Sequence, residues 1–550
     1  MELNKLRIAL LSCFIFTLTG SSFAQTPSKY WVRFKDKNGS PYSVSTPTAY
    51  LSQKSIDRRV AQGIAIDITD IPVNQSYINQ VNSTGAQVFQ RSKWMNAAIV
   101  VVTNTVQLAA INSLTCVLGS QRVGKLIKTS DPTVYSVYDQ QVHKASQNTA
   151  YNYGPSFTQN AQIGADCLHE NGYRGQNMTI GVLDSGFDNV NNNDVFDSLR
   201  NEGRILGTRD IVAGNSSVYE DHDHGAMVLS CISGNTPGQL IGTGPKAQVY
   251  LIRTEDVYSE KPIEENNWIV GAEYADSVGV DIVTTSLGYT TFDSPYTSHV
   301  YSDLNGRTAP MSVAATMAAR KGIFVLNAAG NDGNGAWNYI GIPADADSIC
   351  TVGSVDGSGN HSGFSSVGPT ADGRIKPDLS SMGQGSYVCS PSGSFFGGNG
   401  TSFATPILAG AVACLWQANP TRTNIEILNA LKTTASRSSN PDNNFGWGIP
   451  NMCEAHNLLN GTSLGVSNPA TSVQFKLYPN PAQSELRFSS PKEVEEIFLG
   501  DVLGRLIPFN LQSLAKNEYK VVFAEEMVPG VYILSIKSDG GIINSKFIKE

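Results

Sequence analysis

Concentrated positive charge is missing from this chain. Its 39 lysines and arginines are outnumbered by 47 aspartates and glutamates, for a formal net charge of −8. They form no long cluster, which argues against nucleic acid as a partner. Long apolar runs are also lacking. The run Ile8 to Leu18 is too short to cross a bilayer, and no other run approaches transmembrane length. Metal-binding spacings are missing as well. There is no CxxC-type pattern and no H-E-x-x-H helix, and the Asn-rich stretch Asp188 to Asp194 lacks the closing Glu of a calcium loop.

What is present divides into units, as 550 residues require. Lys5 and Arg7 precede the apolar run, and Ser22-Phe23-Ala24 supplies small residues, so 1–24 reads as a signal peptide cut after Ala24. Leu10-Leu11-Ser12-Cys13 resembles a lipoprotein signal, but Cys13 falls too early in the apolar run for lipidation. The mature protein is therefore expected outside the cytoplasm, with no transmembrane segment.

Residues 25–147 read as a small α/β unit. Tyr30 to Phe34, Ala86 to Arg91 and Ala97 to Thr103 are its strands, and Ser55 to Ala61 and Val106 to Leu114 its helices. The polar stretch Lys128 to Tyr153 is where proteolytic nicking is expected. Residues 148–460 alternate apolar runs with helical segments, the pattern of an α/β fold in which a mostly parallel sheet is covered by helices. A Gly/Ser/Asn/Pro-rich linker, 461–472, leads to 473–550, whose alternating strands fit a small β-sandwich with Tyr532 pointing inward.

Six of the eight cysteines lie in 148–460. Cys350 and Cys389, each in a strand-like run, are the expected disulfide, and Cys231 and Cys414, in helices, are expected to be buried free thiols.

Four short segments carry the chemistry. Met178 to Leu183 reads as a buried strand delivering Asp184 at its C-terminal end, the edge where α/β sheets place their sites; taken alone, Asp184 could be a turn residue. His224, at the start of a helical stretch through Ile232, could alone be a satisfied surface histidine. Asn331 sits in Ala328-Ala329-Gly330-Asn331-Asp332-Gly333 after an apolar run, which alone is only a turn. Ser402 follows a stretch too glycine-rich for helix interior and precedes Pro406, which fits a first helical turn. That places Ser402 at a helix start, where unpaired N–H groups and the dipole favour an oxyanion, although a helix N-cap is the bland alternative. The run Asp221-His222-Asp223-His224 has the residue types of a metal site but not the spacing.

Taken together, TIGVLDSG around Asp184, DHGAMV around His224, AAGND around Asn331 and GTSFATP around Ser402 resemble the subtilase family of serine peptidases. So do Thr285-Ser286-Leu287-Gly288, FSSVGP at 364–369 and KPDLS at 376–380. The resemblance covers about Tyr151 to Leu459, with one departure: Ala226 stands where the family usually has Thr. It implies a secreted endopeptidase with Ser402 as nucleophile, His224 as general base, Asp184 as its orienter and Asn331 in the oxyanion hole. It further implies that Ser286, Leu287 and Gly288 pair with the substrate backbone. Ala329 and Gly330 would line the pocket for the residue before the cut, with room for a bulky apolar side chain and Asp332 leaving a basic one open.

The family resemblance also makes 25–147 an inhibitory prodomain, the alternative being an accessory domain that stays attached. No cofactor is required for the chemistry. Structural calcium, common in the family, falls on no loop that can be named. Leu477-Tyr478-Pro479-Asn480-Pro481, Pro529-Gly530-Val531-Tyr532 and Lys546 to Lys549 resemble the C-terminal sorting domain of type IX secretion cargo, the alternative being a carbohydrate- or protein-binding β-module. The expected partners are protein or peptide substrates, the chain's own prodomain and the type IX machinery, and the expected state is a monomer. Two other readings stand beside the endopeptidase: a narrow-specificity processing peptidase for one surface or secreted partner, and a non-catalytic binding protein on the same fold. The latter would require a missing catalytic residue.

Overall fold

The structure, a computed structural model, describes residues 27–125, 151–461, 477–489, 494–501, 507–515, 518–523, 527–538 and 541–550. The expected signal peptide, most of the Lys128 to Tyr153 stretch and nearly all of the linker lie outside the described residues. The chain divides into two compact units, Met1–Leu459 and Asn460–Glu550.

The first unit opens with a lobe built of β1 (Ser28–Phe34), α1 (Gln53–Ala61), α2 (Gln75–Ser83), β2 (Gln87–Ser92), β3 (Ala97–Val102), α3 (Thr105–Ser113) and β4 (Val117–Lys125). Its four strands form an antiparallel sheet in the order β2-β3-β1-β4. Helix α2 and strand β4 escape sequence reading for physical reasons. Only Ile78 and Val81 are fully buried in α2, whose start is marked by Asn74 accepting from Ser76 N, and β4 is polar and holds two glycines.

The sheet region follows, with α4 (Phe157–Gln162), α5 (Ala165–Glu170), β5 (Thr179–Asp184), α6 (Asp197–Asn201), β6 (Ile205–Asp210), α7 (His224–Ser233), the short pair β7 (Asn235–Thr236) and β8 (Leu240–Ile241), and β9 (Gln248–Arg253). Next come α8 (Ile263–Val278), β10 (Ile282–Thr285), α9 (Pro310–Arg320), β11 (Phe324–Ala328), β12 (Cys350–Val355), β13 (Leu379–Met382), the hairpin β14 (Gln384–Cys389) and β15 (Phe395–Asn399), α10 (Thr401–Ala418), α11 (Asn424–Thr433) and α12 (Met452–Leu459).

Seven strands make one parallel sheet, ordered β13-β12-β11-β10-β5-β9-β6. Both of its faces must be covered, and they are. Val182, Leu251 and Leu326 pack with α7 and α10 in one apolar cluster, while their neighbours Leu183, Ile252 and Val325 pack with α8 and α9 in another, the two-residue alternation of strands. Between β9 and β10 the chain crosses over β5, which puts the reversal of strand order, and hence an open crevice, between the C-terminal ends of β5 and β10.

The expected Cys350–Cys389 disulfide is not formed. Both are buried free thiols, and topology explains why: β12 lies between β11 and β13, whereas β14 pairs with β15. The disulfide joins Cys167 of α5 to Cys453 of α12, 286 residues apart. Cys231 and Cys414 are buried free thiols, as expected.

The second unit holds β16 (Glu485–Ser489), β17 (Val494–Asp501), β18 (Phe509–Ala515), β19 (Glu518–Phe523), β20 (Gly530–Ser538) and β21 (Gly541–Lys549). They form two three-stranded antiparallel sheets, β16-β19-β18 and β17-β20-β21. Leu486, Phe488, Val521, Leu534 and Phe547 are buried with Tyr532 in their common core.

The N-terminal lobe is fastened to α8 by buried charge. Asp276, with no solvent exposure, receives Arg58 (2.6 Å), Arg59 (2.8 Å) and Lys93 (2.9 Å) from the lobe. Arg59 also reaches Asp70, which in turn meets Lys321 at 2.9 Å. One turn before Asp276, Glu273 accepts from Ser92 Oγ (2.5 Å) and from the backbone N–H groups of Lys93 (2.7 Å) and Trp94 (3.1 Å). Because removing one partner of a buried pair strands the others, Asp276→Ala is expected to destabilise the full chain by about 3–5 kcal/mol. Urea denaturation checks this, and a cost near zero would show that the cations are held by other groups.

Candidate functional site

Asp184 is the last residue of β5, where its neighbours on β10 and β9 also end: Leu183 is opposite Thr285 and Asp184 opposite Arg253. Its carboxylate is fully buried. Oδ1 accepts from Ser185 N (2.8 Å) and Ser185 Oγ (3.2 Å) and is bonded to His224 Nδ1 (2.7 Å). A carboxylate oxygen accepts, so the proton of a neutral His224 sits on Nδ1 and the lone pair on Nε2.

His224 is the first residue of α7. It comes this close because Gly225 has no side chain: a Cβ there would stand 2.3 Å from Gly186 O and 3.0 Å from Asp184 Cβ. The His224 ring is buried, which lowers its pKa. The charge and hydrogen bond of Asp184, with the charges of Glu255 and Asp223, outweigh that burial, and the net shift is upward.

Ser402 is the second residue of α10, which begins after Gly400. Pro406 therefore falls beyond the first turn, where the sequence pattern put it. A proline there has no N–H for the carbonyl four residues back, which is that of Ser402. Ser286 Oγ donates to this carbonyl instead, at 2.8 Å, and Ser402 Oγ donates to Ser286 O at 3.3 Å. The two serines are thus tied in both directions. Helices α7 and α10 pack together, and the Phe403 ring lies 6.3 Å from that of His224.

Asn331 Oδ1 accepts from Thr401 N (2.9 Å) and Thr401 Oγ1 (3.0 Å). That backbone donor fixes which end of the amide is oxygen and leaves Nδ2 on the other side. A Cβ on Gly400 would lie 3.7 Å from Asn331 Nδ2 and 3.6 Å from Ser402 N. Two N–H donors therefore converge on a space that the missing side chain keeps open, a geometry suited to an oxyanion.

Ser286, Leu287 and Gly288 extend past the end of β10, with Ser286 and Leu287 buried and Gly288 exposed. Asn327 Nδ2 donates to Leu287 O (3.2 Å), and the nearest atom to a Cβ on Gly288 would be Ile342 O, at 3.8 Å. Ala329 is buried at the end of β11. Beside it Gly330 has φ +112, and a Cβ there would be 2.8 Å from Ser366 Oγ, so only glycine fits. All nine residues expected at the site are thus gathered at one edge of the sheet.

Residues that the sequence pattern left aside also stand here. The run 221–224 points its side chains to different places. Asp221 pairs with Arg253 (2.9 Å), His222 Nδ1 is bonded to Ser185 Oγ (2.7 Å), and His224 meets Asp184. Among the described residues no three His, Cys, Asp or Glu side chains are gathered so as to hold a metal ion. The Ser of Asp-Ser-Gly and the Thr of Gly-Thr-Ser were each visible in a motif, but their roles as donors to Asp184 and Asn331 required the geometry.

A model of the subtilase family matches residues 175–448, one of a Bacteroidota peptidase S8 propeptide domain residues 29–148, and one of a secretion system C-terminal sorting domain residues 476–550. Over 353 residues the chain is 31% identical to subtilisin NAT from Bacillus subtilis subsp. natto, covering 63% of this chain and 81% of that protein. Subtilisin DY from Bacillus licheniformis is 31% identical, with 50% of this chain and 89% of the relative covered. Subtilisin Savinase from Lederbergia lenta is 29% identical, with 53% and 95% covered.

Ser286→Ala is expected to leave the buried Ser402 carbonyl unpaired and to cost about 1–3 kcal/mol of stability. Thermal unfolding of the purified variant measures this. An unchanged midpoint would mean that another donor takes over.

Proposed function

Because the chain belongs to the subtilase family of serine peptidases, we propose that it is a secreted endopeptidase in which Ser402, His224, Asp184 and Asn331 carry the reaction. The observation that supports this best is the buried Asp184–His224 bond at the edge where Ser402 N and Asn331 Nδ2 converge. Ser402 Oγ attacks the scissile carbonyl carbon and gives its proton to His224 Nε2, while Asn331 Nδ2 and Ser402 N donate to the oxyanion. The intermediate collapses as His224 returns the proton to the leaving amine, and an acyl ester remains on Ser402. Water then repeats the sequence, releasing the acid and restoring the serine. Nucleophile, base and donors are all groups of the chain, and no cofactor enters these steps.

The substrate backbone pairs with Ser286, Leu287 and Gly288 as an added strand, and the side chain before the cut enters beside Ala329 and Gly330. The N-terminal lobe is a propeptide domain, and we assign it the role of inhibitor. Its last strand reaches the start of α8, where a Cβ on Gly124 would be 3.3 Å from Ile263 Cβ. The second unit is a type IX sorting domain, which marks the protein for export and for secretion or attachment at the cell surface.

Ser402→Ala is expected to abolish peptide hydrolysis and inactivation by sulfonyl fluorides together, and the variant should accumulate as an uncut precursor. Full activity in the purified variant would remove the central assignment. Asn331→Ala should lower kcat by about 10²–10³ with little change in KM, a magnitude known from a subtilisin's own oxyanion asparagine and not calculated for this chain.

The pH profile follows from the upward shift of His224. Only the neutral imidazole accepts the serine proton, so kcat/KM should rise with pH through one ionisation above the ordinary histidine value of about 6.5. Activity should be lost below it, and a flat profile from about pH 5 to 9 would contradict a histidine base.

A further inference from the structure

Among the described residues, the buried polar atoms without a partner at this edge of the sheet include Asp184 Oδ2, Thr254 Oγ1, Asn327 Oδ1, Glu255 Oε2 and Tyr289 Oη. The last two belong to ionisable groups that the mechanism does not use. Glu255 stands just past the end of β9. Thr254 N donates to Asp184 O (3.0 Å), so the chain carrying Glu255 runs directly beside the residue that orients His224. Glu255 is half-buried as a residue, yet its Oε2 is sealed from solvent. Tyr289 follows the substrate-pairing residues, and its backbone is locked to Ile342 by two hydrogen bonds of 2.9 and 3.1 Å. It is 2% exposed.

Burial first, and then the charges of Glu255 and Glu264, push the Tyr289 hydroxyl well up. Burial, with Glu260 and Asp184, pushes the Glu255 carboxyl up to about 8, while His224 draws it back. Glu264 differs, because its oxygens accept from Asp256 N (3.1 Å) and Lys261 N (2.9 Å) and hold the loop after β9 in place. The loop is fixed, and Glu255 Oε2 is left without a donor among the described residues. A buried acceptor without a donor is costly, and it is accounted for when a ligand brings the donor.

Strand geometry indicates which part of a substrate comes here. Side chains alternate along an extended peptide. If the residue before the cut enters beside Ala329 and Gly330, the residue preceding it lies on the opposite face of the paired peptide; Asp184 with His224, and the chain leading to Glu255, stand at the ends of β5 and β9, across β10 from β11.

We propose that Glu255 lines the subsite for the second residue before the scissile bond and selects a cationic side chain, lysine or arginine, at that position. The inference rests on the peptidase reading given above.

The test uses processed enzyme recovered from expression of the full chain. Its substrates are quenched fluorescent peptides identical except for Arg, Lys, Gln or Glu at the second position before the cut. Wild type should favour Arg and Lys over Gln by about tenfold in kcat/KM, the scale of one charge-assisted hydrogen bond, with Glu poorest. In Glu255→Gln the Arg-to-Gln ratio should fall to within about twofold. The ratio is internal to each preparation and does not depend on how much of the variant folds, and the wild-type profile needs no variant at all. Equal cleavage of the Arg and Gln peptides, a preference found only two residues further from the cut, or a ratio preserved in the variant would each overturn the assignment. Failure to cleave any peptide, together with no sulfonyl fluoride labelling of Ser402, would overturn the peptidase reading and this inference with it.

Discussion

The hydrogen bond between His224 Nδ1 and Asp184 Oδ1, 2.7 Å long and closed to solvent, can form only if a helix N-terminus is pressed against the turn that ends a strand. A buried carboxylate is costly unless donors surround it. Here all three fall on Oδ1, two from the next residue, Ser185, and one from the histidine that the helix brings, while Oδ2 has no partner among the described residues. The approach leaves no room for a Cβ at Gly225. It also needs an open strand end, which the parallel sheet provides where the chain crosses from β9 over β5 to β10. Strand order, a glycine and a buried charge are thus parts of one arrangement.

A second arrangement grows from the same edge. Pro406 cannot close its helical hydrogen bond, and the Ser402 carbonyl so released accepts from Ser286 Oγ. The serine proposed as nucleophile and the segment proposed to bind substrate are therefore held in register by a gap in a helix. Any movement of the segment 286–288 would be felt at Ser402 directly, which ties positioning of the peptide to positioning of the nucleophile.

The residues proposed for chemistry were legible in the sequence because each lies in a short segment whose local structure is set by neighbours along the chain: apolar strand then acid, glycine then helix, glycines then serine. The parallel sheet was legible from the same alternation. What could not be read depends on contacts between distant segments. Cys350 and Cys389 both sit in strand-like runs, and nothing local indicates that their strands are not neighbours, or that Cys167 and Cys453, 286 residues apart, meet. Pro406 signals a helix start, but how far inside the helix it stands depends on Ser286. Asp276 reads as an ordinary polar position on a helix, and only the folded chain reveals it as the anchor of three cations from the N-terminal lobe. Glu255 and Tyr289 carry no motif at all.

Their placement bears on the base itself. Glu255, Asp223 and Asp184 all raise the pKa of His224, and a base held protonated to higher pH is less available near neutrality. The Glu255 carboxyl is itself pushed up to about 8 by burial, Glu260 and Asp184, so near neutrality it is largely protonated in the empty cleft. A positive side chain beside it favours the carboxylate. On the proposed reading, recognition therefore charges Glu255 as it brings the counter-charge, and the base meets a pair whose effects on its pKa oppose each other.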